Sequence, residues 1–232
     1  MTKIISLLVL TVFGAAVLAF GPQEEPTPAA SDVKPPEALP IKQKNGNIKL
    51  GEITLDNRKK EISFKGTLNS PDQGVLEVLI STPRGRVHEA LVVTKASPYQ
   101  LEYMLYLLGA DTEVKRKAKG KKGSLVNIDL EWQDDNGVLH REPIEQWVED
   151  ERTKKAMRRQ GFYFCGSNIE NKVYQAEGHG NLCLLYSNTP ATVLDCADKD
   201  SSSDILYTTN SRKHQPGASR DVRVIISLKK ER

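Results

Sequence analysis

The sequence has few of the residues from which metal centres and cofactor sites are usually built. Its 232 residues include three cysteines, four histidines and two tryptophans, and only 6% are aromatic. The C-x-x-C spacing of iron–sulfur and zinc sites is missing, and so is the H-x-x-x-H spacing of a metal-binding helix. Neither G-x-G-x-x-G nor a P-loop occurs. We therefore expect no cofactor and assign no metal ligands from the sequence.

The charged residues are nearly balanced. Lysine and arginine number 33 against 30 aspartate and glutamate residues, which leaves a formal net charge of +3. Because dedicated nucleic-acid binders carry a clear excess of positive charge, nucleic acid is not an expected partner. With 38% hydrophobic residues, the composition is typical of one globular domain.

The N-terminus has the pattern of a secretory signal peptide. Lys3 precedes an apolar run that ends at Gly21. Val17 and Ala19 are the small residues that signal peptidase requires, so we expect residues 1–19 to be removed. An uncleaved anchor is the alternative, although the run is shorter than the ~20 apolar residues of a membrane span. The expected location is periplasmic or secreted, with no membrane span after cleavage.

The next segment is rich in proline. Six of the twelve prolines lie between positions 21 and 40, among small and acidic residues that could not pack a core. This composition predicts an extended linker. The domain organisation that we expect is a signal peptide at 1–19, a linker at 20–44 and one folded domain at 45–232.

The three cysteines are Cys165, Cys183 and Cys196. In an oxidising compartment one pair could form a disulfide, either Cys183–Cys196 or Cys165–Cys183. Three free thiols are the third alternative.

Most of the chain alternates apolar and polar residues, a period of two that predicts β-strands. The clearest runs are 61–68, 74–80, 87–93, 126–132, 161–165, 182–186 and 222–228. The runs at 74–80 and 87–93 flank a Pro83-Arg84-Gly85 turn, so a hairpin is expected near the centre of a sheet. Asn136-Gly137 predicts a second hairpin.

Helix signals are fewer. Ser97-Pro98 predicts a start, leucines recur on one face, and Gly109 predicts the end. Shorter helical segments are predicted after Pro143, at 153–160 and at 189–194. The expected fold is α+β, a single domain with a largely antiparallel or mixed β-sheet and a few short packing helices.

Residues 115–122 contain six cations in eight positions. Such a block could bind an anionic polymer, lipid headgroups or nucleic acid. No aromatic residue is interleaved for base stacking, so we favour a solvated loop.

Glu77, His88 and Glu89 are the first candidate site residues because they interrupt apolar strands, where an unpaired charge is costly. A carboxylate pair could hold a metal ion or act as acid and base. The alternative is structural, with a glutamate neutralised by Arg84, Arg86 or a backbone amide.

Four further residues are weaker binding candidates. His140 and His179 could join a site only through the fold, and His179 is expected in a tight turn between strands. Gly166-Ser167 follow Cys165 at the end of a strand, but the G-x-S-x-G elbow of hydrolases is missing. A turn that ends the strand is favoured there.

Several blocks of the sequence resemble the YdjY-like domain of exported bacterial proteins. They are 74–80, 85–91, Ser97-Pro98, Leu107-Leu108-Gly109, Trp132, Asn136-Gly137, His140-Arg141, Pro143, Trp147, Gly166-Ser167 and 176–195. The similarity covers about residues 45–228 and implies export, but the family offers no established activity to transfer. Cys165 departs from the family pattern, in which threonine is common.

Two hypotheses follow for the function. The first is a non-enzymatic binding module of the cell envelope, whose partner is an envelope protein or polymer. The alternative is a metal-assisted or acid–base enzyme, hydrolase-like, with a site around Glu77, His88 and Glu89.

Overall fold

The computed structural model describes residues 39–69, 75–113, 115, 122–186, 191–199, 205–213 and 220–230. Within them the chain is mostly β, with the short helices α1 (Pro98–Leu108) and α2 (Gln175–His179) and 3₁₀ helices at Val87–Glu89 and Ile144–Trp147. The strands are β1 (Ile41–Lys42), β2 (Ile48–Leu50), β3 (Ile53–Asp56), β4 (Glu61–Leu68), β5 (Val78–Ser81), β6 (Ala90–Val93), β7 (Leu125–Gln133), β8 (Leu139–Pro143), β9 (Val148–Asp150), β10 (Lys155–Ala156), β11 (Phe162–Phe164), β12 (Ile169–Glu170), β13 (Val173–Tyr174), β14 (Asn181–Leu184), β15 (Leu194–Cys196), β16 (Tyr207–Thr209) and β17 (Arg220–Leu228).

The main sheet closes on itself. Its strands follow the order β4-β17-β7-β11-β15-β14-β5-β6, and β6 pairs again with β4. The strands β1, β2 and β3 extend the sheet beyond β4. The sequence predicted a largely antiparallel or mixed sheet in one domain, and the sheet is indeed mixed, but its closure into an eight-stranded barrel was not foreseen.

The barrel interior is built by alternation along β4, β17 and β7. Opposed residues on these strands form two buried cross-strand rows, Phe64–Val224–Leu130 and Ile62–Ile226–Ile128. Full burial of each such side chain stabilises the fold by about 1.5–3 kcal/mol relative to exposure. Residues at the alternate positions face outwards, and among them Arg223 on β17 pairs with Glu131 on β7.

Helix α1 begins and ends where the sequence predicted. The Ser97 hydroxyl accepts a hydrogen bond from the Gln100 backbone N–H at 3.3 Å. Gly109 adopts the left-handed conformation, with φ of 99°, that ends the helix. Leu101, Leu105 and their neighbours on the same face pack on the sheet.

The predicted hairpin of β5 and β6 is wrong. The two strands are neighbours, but they run parallel, with Val78 opposite Ala90 and Ile80 opposite Val92. The chain therefore crosses back between them through Thr82–Glu89, and the end of this crossover is a 3₁₀ helix rather than a strand. Parallel neighbours usually need a longer connection, so the crossover is tight.

Three further local predictions are corrected. The segment 153–160 is not helical, because β10 lies within it and pairs with β9. In the helical segment predicted at 189–194, Leu194 belongs instead to β15, while Thr189 and Pro190 lie outside the described residues. The polar, serine-rich composition of 198–219 predicts a loop, but β16 lies within it.

The boundaries of the folded part differ slightly from those predicted. Strand β1 lies within the segment 20–44 that was expected to be a linker. The predicted signal peptide lies outside the described residues. No helix in the described part of the chain combines the length and the apolar character needed to cross a membrane.

Candidate functional site

Glu77 and Glu89 come together at the start of the parallel pair β5 and β6. Each precedes its strand by one residue, and the Glu77 backbone N–H donates to the Glu89 carbonyl at 3.3 Å. Arg86 Nη1 donates to Glu77 Oε2 and, at 3.0 Å, to Glu89 Oε2. The two carboxylates therefore lie close together, as the sequence suggested, and the Arg86 guanidinium bridges them.

The burial of this cluster explains the bridge. The Glu77 and Glu89 side chains are only 13% and 25% exposed. Two carboxylates that are largely removed from water repel each other, and a cation between them compensates. This is the structural alternative that the sequence left open, with Arg86 as the partner.

His88 does not complete a metal site there. Its side chain is 63% exposed, and its Nε2 lies 3.7 Å from Glu89 Oε1. Among the described residues, no group of three or more His, Cys, Asp or Glu side chains could hold a metal ion. The cluster is thus built as an ion pair with a surface histidine beside it.

His179 lies at the opposite end of β5 from Glu77, where two backbones approach each other closely. It ends α2 instead of occupying a simple turn, and Gly180 follows with φ of 69°. A Cβ on Gly85 would lie 2.8 Å from the His179 carbonyl oxygen, and the Thr82 N–H donates to the Gly180 carbonyl at 2.8 Å. Glycine at position 85 is what allows the crossover to pack on α2.

His140 belongs to a different part of the molecule. It lies on β8, where its ring stacks on Trp132 with 5.3 Å between centroids. Its Nε2 is 2.9 Å from Asp134 Oδ2, and this hydrogen bond lowers the pKa of Asp134. The structure therefore does not bring His140 to the other candidates.

Gly166 and Ser167 lie in the loop that follows β11, beside α1. Gly166 has φ of 69°, and a Cβ there would lie 2.8 Å from the Thr112 methyl group. The Ser167 N–H donates to Glu102 Oε2 at 3.2 Å, and its hydroxyl accepts from the Ala176 N–H at 3.0 Å. Ser167 thus caps the start of α2, which supports a structural role over that of a nucleophile. The strand ends here as predicted, but in a loop and not in a turn.

The cysteines have the character of core residues. All three are free. Burial raises the pKa of Cys165 and Cys183, and raises that of Cys196 to about 12. Since the thiolate is the reactive form, these thiols are poor nucleophiles.

The exposed side of α1 is a feature that the sequence reasoning missed. Tyr99, Tyr103 and Tyr106 recur at i, i+4 and i+7 and are 44%, 40% and 37% exposed. We call these three residues the tyrosine face. The i, i+4 and i+7 spacing of the three tyrosines is visible in the sequence and is the signal that could have indicated this face.

The surroundings hold the tyrosine face in place. Glu177 Oε2 accepts from the Ser97 hydroxyl at 2.7 Å and from the Tyr99 N–H at 3.2 Å, which ties α2 to the start of α1. Tyr174 packs edge-on against Tyr99 with 5.6 Å between ring centroids. The Tyr174 hydroxyl also donates to Glu102.

A second missed residue is Glu145. It is fully buried, and neither of its carboxylate oxygens has a hydrogen-bond partner among the described residues. Desolvation raises its pKa. The indole N–H of Trp147, on the same 3₁₀ helix, is buried and unpartnered in the described part of the chain as well.

Comparison with known proteins adds no relative. No protein-family model, curated protein or solved structure matches the chain. The resemblance to the YdjY-like domain therefore stays a prediction from the sequence blocks.

Proposed function

We propose that the protein is an exported, non-enzymatic binding module that takes a polymer of the cell envelope on its tyrosine face. The observation that carries this proposal is the tyrosine face itself. Three of the seven tyrosines in the chain lie exposed along one helix. Tyrosine presents an apolar ring and a polar hydroxyl, which suits it to contact a partner at a wet surface.

The chemistry of the other candidates supports binding over catalysis. Glu77 and Glu89 share a cation, and the three thiols have raised pKa values. A general base must be able to take a proton from a bound substrate. Glu145, the carboxyl group with the clearest pKa rise from burial, is closed off from solvent.

A sugar ring of a polymer has an apolar face that can stack on the tyrosine ring. Its hydroxyl groups can form hydrogen bonds with the tyrosine hydroxyl. At a rise of 1.5 Å per residue, the seven steps from Tyr99 to Tyr106 span about 10 Å of helix. That length offers successive rings to an extended chain. Wall glycan of the cell envelope has this chemistry, which makes it the first ligand to test.

The test is cosedimentation of the exported protein with purified wall polymer. We expect the wild type to sediment with the polymer and the Tyr103→Ala variant to stay in solution. Tyr103 is the best choice because Tyr99 and Tyr106 also pack against Tyr174 and Phe164. Leu139→Ala is the matched control, because Leu139 is 59% exposed on β8.

Equal sedimentation of the wild type and Tyr103→Ala would refute the tyrosine face as the binding site. Absence of sedimentation of the wild type would refute the polymer as the ligand.

A further inference from the structure

The C-terminal end of the tyrosine face already holds a cation. Lys115 Nζ lies 4.8 Å from the centroid of the Tyr106 ring and 4.0 Å from Asp111 Oδ1. An ammonium group is attracted both to the face of an aromatic ring and to a carboxylate, so it is held best where the two adjoin. At this end of the tyrosine face, the chain itself supplies the ammonium group.

The N-terminal end of the tyrosine face has the ring and the carboxylate without the cation. Glu177 Oε2 accepts from the Tyr99 backbone N–H at 3.2 Å and from the Ser97 hydroxyl at 2.7 Å, which holds this carboxylate at the start of α1. The Tyr174 ring packs edge-on against Tyr99 and adds a second aromatic group. Glu177 forms no ion pair with any residue that the structure describes.

Glu102 adds a second carboxylate to the same end. Its Oε2 accepts hydrogen bonds from the Tyr174 hydroxyl and, at 3.2 Å, from the Ser167 N–H. Burial raises the pKa of Tyr174, and so do the charges of Glu102 and Glu177, which shows that both carboxylates act on this one ring. Within the described part of the chain, Glu102 has no ion pair either.

The N-terminal end of the tyrosine face is therefore acidic, although the chain as a whole is not. The nearest cations in sequence are Lys95 and Lys172, which are exposed and pair with neither carboxylate. The formal net charge of the chain is +3. A polymer with many positive charges would not be attracted to such a protein as a whole, so its binding needs a local acidic site.

We infer that the ligand of the tyrosine face is a glycan with free amino groups, and that Tyr99, Glu177 and Glu102 bind one of its ammonium groups. This inference rests on the binding role proposed above and names the ligand more closely. A sugar ring stacks on a tyrosine ring, while its ammonium group lies against Tyr99 and donates to the carboxylates. An acetylated sugar keeps the ring but has no positive charge, so it lacks this contact.

The first experiment is isothermal titration calorimetry of the exported protein at pH 6 with two β-1,4-linked hexasaccharides, one of glucosamine and one of N-acetylglucosamine. The two probes share the sugar rings and differ in the charge of the amino group. We expect the glucosamine hexamer to bind about 5- to 10-fold more tightly, which corresponds to one cation–π contact and one partly exposed ion pair. Added salt should reduce this preference and leave the affinity for the acetylated hexamer unchanged.

The second experiment repeats the titrations with variants. Glu177→Gln removes the charge and keeps an oxygen that can accept the hydrogen bonds at the start of α1, so it should lose most of the preference for the amine. Glu102→Gln tests the second carboxylate in the same way. Glu170→Gln, the same change at an exposed position on β12, is the matched control and should keep the full preference. An unchanged affinity for the acetylated hexamer shows that each variant is folded.

Equal affinities of the wild type for the two hexamers would overturn the inference. So would a preference for the amine that Glu177→Gln and Glu102→Gln both retain, because the ammonium group would then bind elsewhere. These outcomes are separable from those of the proposed function. If Tyr103→Ala abolishes sedimentation with wall polymer but the wild type shows no preference for the amine, only the inference fails. If the preference depends on Glu177 but the wild type does not sediment with wall polymer, only the proposed function fails.

Discussion

Glu77 and Glu145 are both carboxylates withdrawn from water, but only Glu77 has a cation against it. Arg86 bridges Glu77 to Glu89 at the rim of the barrel. The oxygens of Glu145 meet no partner among the described residues, and desolvation outweighs the more distant charges of Arg159 and Lys229 in setting its pKa. The comparison teaches that an acidic residue in an apolar stretch does not by itself indicate a catalytic or metal-binding role. Its partners in the folded chain must be known first.

The largest expected effect comes from removing Arg86, the cation that bridges Glu77 and Glu89. Arg86→Ala leaves Glu77 and Glu89 facing each other while largely shielded from water. We expect a loss of about 2–3 kcal/mol in the free energy of unfolding, measured by urea denaturation at pH 7. The control is Arg84→Ala, an exposed arginine two residues away. Equal losses for the two variants would show that Arg86 is not what neutralises the pair.

Asp150 is a second carboxylate that has a cation against it. Asp150 accepts two hydrogen bonds from the Arg152 guanidinium, at 2.9 and 2.7 Å, and these bonds lower its pKa below the usual 3.8. The stabilisation is therefore present above about pH 4 and is lost as pH falls through the folded pKa.

Asp150→Asn should destabilise the protein by about 2 kcal/mol at pH 7. The deficit relative to wild type should shrink as the pH of the denaturation experiment is lowered below 3.8. A deficit that did not change with pH would mean that packing, and not charge, is what Asp150 supplies.

Glu145 should show the opposite dependence on pH. Its folded pKa is raised above the usual 4.5. The folded state therefore holds a proton that the unfolded state releases, and stability falls as pH rises from 4.5 towards the folded pKa, by up to about 1.4 kcal/mol per pH unit.

Glu145→Gln, which keeps the shape without the charge, should remove this fall. Its advantage over wild type should grow above pH 4.5 to about 1 kcal/mol, measured by denaturation across a pH series. Glu149→Gln, four residues away, is the control. A variant that is less stable than wild type at every pH would contradict the account.

The smallest effect is expected at His88, the exposed side chain beside Glu89. His88→Ala should change the free energy of unfolding by no more than about 0.5 kcal/mol, because a surface side chain with one distant partner contributes little. Elemental analysis of the same variant tests the metal hypothesis. Loss of one equivalent of bound metal on substitution would restore His88 to a functional site.

Local predictions succeeded where neighbours in sequence decide the structure. The start of α1 at Ser97-Pro98 and its end at Gly109 follow from capping and backbone freedom, and both are observed. The hairpin of β7 and β8 follows from Asn136-Gly137 in the same way. The alternation in 222–228 correctly predicted a strand, but not that β17 lies between β4 and β7.

The geometry of the candidate site could be predicted from the sequence only in part. The closeness of Glu77 and Glu89 was expected from a hairpin, and it is found in a parallel pair instead. Alternation looks the same whichever way a strand runs, so it could not reveal the crossover. Glu145 gave no signal at all, since nothing local distinguishes a buried glutamate from an exposed one in a short helical turn.

The sequence by itself determined the period of each strand, the limits of α1, the hairpin turn and the near balance of charge. These depend on backbone preferences and on contacts within a few residues. Only the tertiary structure decided that the sheet closes, that β5 and β6 run parallel, and which carboxylates meet a cation. Those outcomes depend on pairings between residues far apart in the chain, whose free energy comes from burial and desolvation in the assembled barrel.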